Sequence, residues 1–317
     1  MGAGTASTGA YEPADTRRSR LRRLLPVARV VVPLLALVVL LQRFGAEAFR
    51  PALEVVSPIP LLAALVLGGV AVAAQSARWR IVMRGSGLPL GRREALVECY
   101  RSCALNTVLP GGVAGDVLRA WRQRTGAPKG WQPGAVSVAA ERVAGFSVLL
   151  VAVSVVLFID GEPMLAAAAA TLASIAWLVT RRPLGRLGWR DRAAVWGLSL
   201  VALVALVGLM VVVAAAIGVS ERPNVIATFG LVLLAGMSIP LNIGGWGPRE
   251  TAGALVAPLV GAHPATGIAV AAGYGVLAAV SVLPGFLALA LPRLTGDRQQ
   301  RAASSDTDSE SRTVAKV

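Results

Sequence analysis

The sequence predicts an all-α polytopic integral membrane protein with about six full spans and two re-entrant helical hairpins. Of its 317 residues, 55% are hydrophobic and only 15% are charged, whereas about 25% of residues are charged in soluble domains. Apolar runs long enough to cross a bilayer as helices alternate with short arginine-rich segments. Two glycine-rich breaks, within residues 105–124 and 239–250, interrupt the apolar pattern and predict the hairpins.

The basic residues predict membrane orientation rather than a nucleic-acid partner. The net charge is +14, but the 31 lysines and arginines lie in short segments between apolar runs. A protein that binds nucleic acid concentrates such charge on one face or in one domain. Short arginine-rich loops instead mark the cytoplasmic side of a membrane protein. We therefore expect a multi-pass cell-membrane protein with both termini in the cytoplasm and no nucleic-acid partner.

The chain begins with a basic segment, residues 1–23, which we place in the cytoplasm. The apolar run 24–41 follows and predicts the first span. A signal peptide is the alternative, because residues 46–48 resemble a cleavage site, but the run is longer than the roughly 7 to 15 apolar residues of such a peptide. Residues 60–77 are uncharged and predict the second span, which returns to an arginine-rich loop at residues 78–93.

The first hairpin follows this loop. Its first leg, residues 94–108, carries Glu98 and Arg101, which a lipid-facing span would hold only at a high cost in free energy. A Leu-Pro-Gly-Gly break at residues 109–112 separates it from a second, short helix. Basic residues on both sides predict entry and exit from the cytoplasm, namely Arg92, Arg93, Arg122, Arg124 and Lys129. Because irregular backbone inside a membrane must be covered or line a watery cavity, we expect a groove here.

Four further spans are predicted by apolar runs at residues 135–159, 163–180, 193–219 and 265–291. The second hairpin lies in residues 224–262, between the last two of these spans. The transmembrane domain thus covers residues 24–294, and the polar tail, residues 295–317, is predicted to be disordered and cytoplasmic. If each span crosses to the opposite side of the membrane in turn, the two halves of the domain have opposite orientations. This is the pattern of transporters built from inverted repeats.

Three arginines are the charged residues that we expect to bind a substrate: Arg119, Arg142 and Arg249. A guanidinium presents a planar fork to a phosphate and keeps its charge inside a membrane domain. The alternative is that these residues only pair with nearby acids, which are Asp116, Glu141 and Glu250. The same acids would meet the ammonium group of a lipid headgroup that carries an amine as well as a phosphate.

Four glycines and an asparagine complete the candidate site: Gly111, Gly112, Gly244, Gly245 and Asn106. Glycine permits a positive φ and a close approach of the backbone to a ligand. The glycine-rich breaks lack both the Lys-Ser/Thr of a P-loop and the spacing of a dinucleotide fingerprint. Asn106 could hydrogen-bond a headgroup or cap exposed carbonyls.

The sequence predicts no cofactor and no metal site. His263 is the only histidine and precedes Pro264, so we interpret it as a loop residue. Cys99 and Cys103 share one helical face, and we interpret them as two free thiols because no histidine completes a metal shell near them. The Asp-Thr-Asp of residues 306–308 lies in the predicted disordered tail, which cannot fix coordination geometry.

The order of these motifs resembles the lysylphosphatidylglycerol synthase transmembrane-region family, over about residues 25–291. The motifs are Asn106, LPGG at 109–112, Gly115 with Asp116 and Arg119, Glu141 with Arg142 and Gly145, and Pro240, Gly244, Gly245, Gly247, Arg249 and Glu250. The resemblance implies a flippase-like domain associated with moving lipids, notably aminoacylated phosphatidylglycerol. Family members that make such lipids carry a separate soluble aminoacyltransferase domain, for which we expect no room before residue 24 or after residue 294.

Three functions remain open at this stage. In the leading hypothesis the chain translocates a membrane phospholipid, with Arg119, Arg249 and Arg142 binding its phosphate in a groove between the hairpins. The alternative is an enzyme that acts on a lipid-linked phosphate donor, with Asp116 or Glu141 as general base. The third is a scaffold that docks a separate lipid-modifying enzyme through its arginine-rich loops. A homodimer is compatible with each of them.

Overall fold

The computed structural model describes residues 38–39, 41–42, 45–109, 112–122, 132–219, 223–238 and 246–290, and its regular elements are helices. Several predictions fall outside these residues. They are the basic segment 1–23, nearly all of the first span, Gly111, Gly244, Gly245, Lys129 and the tail 295–317.

Ten α-helices follow one another in the described part of the chain: α1 Pro58–Gly85, α2 Arg92–Val108, α3 Ala114–Arg122, α4 Gln132–Ile159, α5 Pro163–Leu184, α6 Trp189–Ala216, α7 Pro223–Met237, α8 Pro248–Val256, α9 Pro264–Ser281 and α10 Leu283–Ala290. Short 3-10 helices precede α1, at Ala46–Ala48 and Arg50–Val55, and follow α8, at Ala257–Val260. Several helices begin at proline, whose fixed φ and missing N–H suit the first turn.

Five helices are long and apolar enough to cross a membrane, which confirms a polytopic membrane protein. They are Pro58–Gly85, Pro133–Ile159, Pro163–Leu184, Trp189–Ala216 and Pro264–Ala290. These correspond to five of the six predicted spans. The last contains a single non-helical turn at Val282, which separates α9 from α10.

The predicted end of the second span at Ala77 is wrong. Helix α1 continues to Gly85, so Arg78 and Arg80 belong to the helix and not to a loop. Arg78 is buried and ion-paired with Glu141, and a paired charge does not force the helix to end at the membrane boundary.

The arginine-rich loops meet at one end of the helix bundle, called here the arginine-rich end. Arg84 at the end of α1 forms a 2.8 Å ion pair with Asp191 at the start of α6. The Ser86 and Ser137 hydroxyl oxygens are 2.9 Å apart, which brings the loop before α2 close to the start of α4. The first hairpin, α2 with α3, therefore starts and finishes at this end.

The second hairpin, α7 with α8, starts and finishes at the opposite end. Val219 after α6, Val225 at the start of α7, and Ala262 and Thr266 around the start of α9 line one small cavity. The chain thus leaves α6, enters α7 and enters α9 from one region of the bundle.

The two halves of the described chain repeat the same pattern of helix contacts. Helices α1 and α6 pack on each other at the centre. In the first half α2 packs on α3 and α3 on α4, and in the second half α7 packs on α8 and α8 on α9. The contact between α1 and α9 corresponds to the contact between α6 and α4. The contact between α4 and α7 corresponds to the contact between α10, in the last span, and α2. Among the described helices, the halves predicted from the charges of the loops therefore share this contact pattern.

Glycines allow the short helices α3 and α8 to touch the backbones of neighbouring helices. A Cβ at Gly115 would lie 2.2 Å from the carbonyl oxygen of Ser102 on α2, and one at Gly253 would lie 2.5 Å from the carbonyl oxygen of Gly267 on α9. Both distances are too short for a side chain. Gly112, between α2 and α3, has a φ of +60°, which an L residue adopts only with strain.

Candidate functional site

A cluster of five charged residues, four of them buried, joins α1, α3 and α4, and we call it the first charge cluster. Its members are Arg78, Asp116, Arg119, Glu141 and Arg142. Arg78 donates through Nε to Glu141 Oε1 at 2.9 Å and through Nη1 to the Ser199 hydroxyl on α6 at 2.7 Å. Gly145 makes room for this guanidinium, since a Cβ there would lie 2.7 Å from Arg78 Nη1.

Arg119 connects the two acids of the cluster. Its Nη2 is 3.1 Å from Glu141 Oε2 and 3.2 Å from Asp116 Oδ1, and its Nη1 donates to Cys99 Sγ at 3.0 Å. The guanidinium carbon lies 4.5 Å from the centre of the Trp79 ring, a cation–π arrangement. Helix α3 therefore places its arginine between α2, α1 and α4.

Asp116 is the acid around which the first hairpin is assembled. The Ser102 hydroxyl donates to Oδ1 at 2.9 Å, and Asn106 Nδ2 donates to Oδ2 at 3.1 Å. The side-chain oxygen of Asn106 accepts from the backbone N–H of Gly115 at 2.7 Å. Both the nitrogen and the oxygen of the Asn106 side-chain amide thus connect the end of α2 to the start of α3.

Arg142 completes the cluster and alone among its five members reaches the surface. Its Nη2 lies 2.6 Å from Asp116 Oδ2, while 43% of its side chain is exposed. The other four side chains are between 1% and 8% exposed. Three guanidiniums face two carboxylates, so the cluster carries one surplus positive charge, and that charge can meet an anion only through Arg142.

A second set of charges ties the first hairpin to the end of the last span. Glu98 accepts from Arg101 at 2.8 Å and from Arg122 at 2.7 Å. Arg101 also donates through Nε to the Ala288 carbonyl on α10 at 2.8 Å. The charges on the predicted first leg are thus covered by protein, as a charged segment in a membrane requires.

Helix α3 turns its charged face inward and its apolar face outward. Asp116 and Arg119 are buried, at 6% and 2% exposure, whereas Val117 and Trp121 are 63% and 52% exposed. A helix on the surface of a soluble protein shows the reverse arrangement. The outer face of α3 is therefore suited to contact with lipid.

The second hairpin carries a separate, fully buried pair, Arg249 and Glu250, each 0% exposed. Arg249 Nε donates to Glu250 Oε1 at 2.9 Å, and Glu250 Oε2 caps α8 by accepting from the Gly247 N–H at 2.7 Å. The guanidinium carbon lies 4.6 Å from the centre of the Trp246 ring. Gly275 on α9 leaves space for this group, since a Cβ there would be 2.1 Å from Arg249 Nη2.

The structure thus divides the predicted site residues into two groups. Asn106, Asp116, Arg119, Glu141 and Arg142 come together, with Gly112 at the turn of the same hairpin. Arg249 and Glu250 lie apart, and within the described ranges their hydrogen bonds stay inside the second hairpin. Both acids of the first group and Glu250 form the ion pairs that the sequence offered as an alternative to substrate binding.

Sequence reasoning missed four residues of the first charge cluster and its surroundings: Arg78, Trp79, Ser102 and Ser199. Arg78 could have been placed inside the helix, because no glycine or proline separates it from Gly85. Its partner Glu141 lies 63 positions further along the chain, and no local signal indicates that pairing.

The structure also describes the two cysteines and the histidine that the sequence singled out. Cys99 and Cys103 are unpaired. His263 caps α9, and its Nδ1 accepts from the N–H of Ala265 at 3.2 Å. Across the described ranges no three metal-ligating side chains gather into a group.

A family model described as "Lysylphosphatidylglycerol synthase TM region" matches residues 26–187, which is just over half of the chain. The match contains the first hairpin and all five members of the first charge cluster. It ends after α5, the first helix of the second half, whereas the resemblance in the sequence extended to about residue 291. No curated protein and no solved structure matched the chain.

Proposed function

Because the chain belongs to the lysylphosphatidylglycerol synthase transmembrane-region family, we propose that it moves a phosphate-bearing lipid between the two leaflets of the membrane. The first charge cluster receives the headgroup, and Arg142 binds the phosphate. The acyl chains stay in the surrounding lipid. No cofactor is needed for this step.

The observation that carries the proposal is the surplus positive charge at Arg142. A phosphate that approaches the partly exposed Arg142 side chain can form the bidentate hydrogen bonds that a guanidinium favours. Asp116 already holds that side chain at 2.6 Å, so the guanidinium is oriented before the lipid arrives. An ammonium on the same headgroup would take the place at Asp116 that Arg142 leaves.

We further propose that both hairpins are re-entrant, entering the membrane from opposite faces. The first starts and finishes at the arginine-rich end, and the second starts and finishes at the opposite end. The exposed apolar face of α3 supports its insertion in lipid. Together with the repeated helix contacts, this arrangement is an inverted repeat.

The first charge cluster lies at a depth that suits a translocation site. Arg78 is seven residues from the end of α1 and Ser199 is ten residues from the start of α6, which is about 10 to 15 Å along each helix. The whole of α1, with 28 residues, is about 42 Å long. These distances support our proposal that the cluster lies inside the hydrocarbon region, near its boundary on the arginine-rich side.

Such a polar cluster addresses the main barrier to lipid exchange. Moving a charged headgroup through hydrocarbon without its water costs many kcal/mol, because nothing there replaces its hydrogen bonds. A half-exposed arginine surrounded by buried polar partners supplies hydrogen bonds at the depth where water is lost.

In this conformation we assign the second hairpin a supporting role. Arg249 and Glu250 form a neutral pair without access to the surface. Glu250 caps the start of α8, and the Arg249 guanidinium lies in the space that Gly275 leaves on α9. A direct contact with the lipid would require this pair to open.

The contacts of the acids favour transport over the alternative of an enzyme. Glu141 forms ion pairs with Arg78 and Arg119, and Asp116 forms ion pairs with Arg119 and Arg142. A carboxylate whose oxygens are occupied by two guanidiniums has no free oxygen in position to take a proton from a substrate. A general base needs the opposite environment.

The proposal is tested with the purified chain in vesicles that contain a fluorescent, headgroup-labelled phosphatidylglycerol. A membrane-impermeant reductant bleaches the outer leaflet, and continued bleaching reports leaflet exchange. We expect exchange to fall about tenfold or more in Arg142→Gln, because one charge-assisted hydrogen-bonding group is lost. Arg50→Gln is the matched control, since Arg50 is 78% exposed and far from the cluster in the chain.

Three results would count against the proposal. Equal rates of leaflet exchange in the wild type and Arg142→Gln would show that Arg142 does not bind the lipid during its translocation. A new lipid product, detected by mass spectrometry, would indicate an enzyme. The absence of both exchange and product would leave the scaffold function.

A further inference from the structure

A lipid-sized groove runs between α4 and α5 on the other side of α4 from Arg142. Its volume is about 650 Å³, within the roughly 300 to 1,000 Å³ of small-molecule sites. Residues 147, 151, 154 and 155 form its α4 wall, and these positions lie on the helix face opposite Arg142 at 100° per residue. The groove is therefore distinct from the first charge cluster.

Small side chains create the groove and leave it apolar. Ala170 and Ser174 on α5 face Ser147 and Ser154 on α4. The hydroxyls donate to nearby carbonyls: Ser147 to Ala144 at 2.8 Å, Ser154 to Ala166 at 2.9 Å and Ser174 to Ala170 at 2.8 Å. Because these donors are satisfied, the walls offer van der Waals contact rather than hydrogen bonds. An aliphatic chain fits such a surface better than a polar ligand does.

Two tryptophans close the groove toward the arginine-rich end. Trp177 on α5 and Trp196 on α6 both line it. Each is followed, one helical turn nearer that end, by an exposed arginine: Arg181 on α5 and Arg192 on α6. Residues 170, 174, 177 and 181 continue one stripe of α5, since they are spaced by four, three and four positions. Tryptophan and arginine in this order mark the boundary between hydrocarbon and headgroups.

We propose that the groove binds one anionic phospholipid from the leaflet at the arginine-rich end. An acyl chain lies between α4 and α5, and the phosphate lies between Arg181 and Arg192. The two arginines supply the charge that selects an anionic headgroup over a zwitterionic one. This lipid is a bound partner of the fold at the junction of the two halves, and it is separate from the lipid that the first charge cluster would move.

The position of the groove indicates that its ligand is a bilayer lipid. Its walls include Val151, Val155 and Leu178, which are 54%, 52% and 47% exposed on helices long enough to span the membrane. Surface of this kind in a membrane is covered by acyl chains and not by water. The charge at one end then determines which lipid is favoured.

Brominated lipids test the proposal, because bromine on an acyl chain quenches a tryptophan that it touches. The full chain is reconstituted in bilayers of phosphatidylcholine, and brominated phosphatidylglycerol or brominated phosphatidylcholine is titrated in. The difference between the wild type and Trp177→Phe isolates the signal of Trp177. We expect brominated phosphatidylglycerol to quench this signal at a mole fraction roughly five- to tenfold lower than the brominated phosphatidylcholine.

Two pairs of variants separate the groove from general membrane contact. Ala170→Phe fills the groove and should abolish the preference, whereas Ala168→Phe, on exposed α5 surface outside it, should retain it. Arg181→Gln with Arg192→Gln should make the two lipids equal, whereas Arg92→Gln with Arg93→Gln, at the same end of the bundle, should not. Equal quenching by both lipids in the wild type would overturn the proposal. So would the absence of quenching at Trp177, which would mean that residues 24–41 or a second copy of the chain fill the groove.

Discussion

Arg142 Nη2 lies 2.6 Å from Asp116 Oδ2, yet 43% of the arginine side chain is exposed and only 8% of the aspartate side chain. The pair therefore joins the interior of the first charge cluster to the protein surface. Inside the cluster, Arg119 pairs with both Asp116 and Glu141. A ligand that draws Arg142 away would leave Asp116 with Arg119, Ser102 and Asn106 as its remaining partners.

Removing the negative charge of Asp116 should increase the binding of anionic lipid. Asp116→Asn keeps the shape of the side chain, releases Arg142 and raises the surplus positive charge of the cluster. We expect phosphatidylglycerol that is co-purified with the chain to increase severalfold, as measured by mass spectrometry of the extracted lipids. Asp191→Asn is a matched control, because Asp191 pairs with an exposed arginine at the arginine-rich end. Unchanged lipid retention would contradict the assignment of Arg142 as the phosphate ligand.

Glu141 should be the acid on which stability depends most. Glu141→Gln leaves the guanidiniums of Arg78 and Arg119 buried with one acid fewer, and loss of one partner from a buried ion pair costs about 3 to 5 kcal/mol. We expect a clearly lower thermal unfolding midpoint in detergent. Glu47→Gln, at a side chain that is 83% exposed, should leave the midpoint unchanged. Equal midpoints for the two variants would show that the cluster is hydrated and not buried.

Gly115→Ala should separate the legs of the first hairpin. The added Cβ would lie 2.2 Å from the Ser102 carbonyl oxygen, so α3 must move away from α2. We expect a loss of stability in the range of about 1 to 3 kcal/mol for overpacking and a loss of leaflet exchange. Gly188→Ala is the control, since a Cβ there meets nothing within 4 Å. Normal stability in Gly115→Ala would mean that the legs are further apart than described.

The outer face of α3 should lie in lipid. A spin label at Val117→Cys should be relaxed by oxygen, which concentrates in hydrocarbon, more than by a water-soluble nickel complex. A label at Arg84→Cys, on a side chain 62% exposed at the arginine-rich end, should show the reverse. Greater relaxation by nickel at both positions would place α3 in water and exclude a re-entrant first hairpin.

The sidedness of the first hairpin can be tested with single cysteines placed before and after it in the chain. Cysteines at residues 84 and 129 should both react with an impermeant maleimide from the cytoplasmic side, because the hairpin is proposed to enter and leave there. Reaction from opposite sides would show that the segment crosses the membrane completely. The inverted repeat would then be wrong.

The sequence was sufficient for the fold class and for the position of the breaks. Apolar length, arginine-rich loops and the Leu-Pro-Gly-Gly motif predicted five described spans and the division of α2 from α3. These signals are local, since each depends on residues within one helix or loop. The end of α1 was predicted too early because Arg78 was counted as a loop residue, and only its buried partner explains its place in the helix.

The association of the candidate site residues could be predicted in part for the same physical reason. Asp116, Arg119 and Asn106 are near one another in the chain, and their association follows from the hairpin. The pairing of Arg78 with Glu141 and Ser199 depends on how α1, α4 and α6 pack. The sequence likewise gave no indication that Arg249 would be enclosed by Trp246 and Gly275 rather than exposed to a groove.

The most direct test of the central claim is to map where a lipid headgroup touches the chain. Phosphatidylglycerol with a photoactivatable group on its headgroup would be cross-linked to the full chain in bilayers, and the adducts located by mass spectrometry of peptides. The account predicts adducts beside Asn106 and Arg142 that disappear in Arg142→Gln and persist in Arg50→Gln. Adducts absent from both positions, or unchanged in Arg142→Gln, would contradict it.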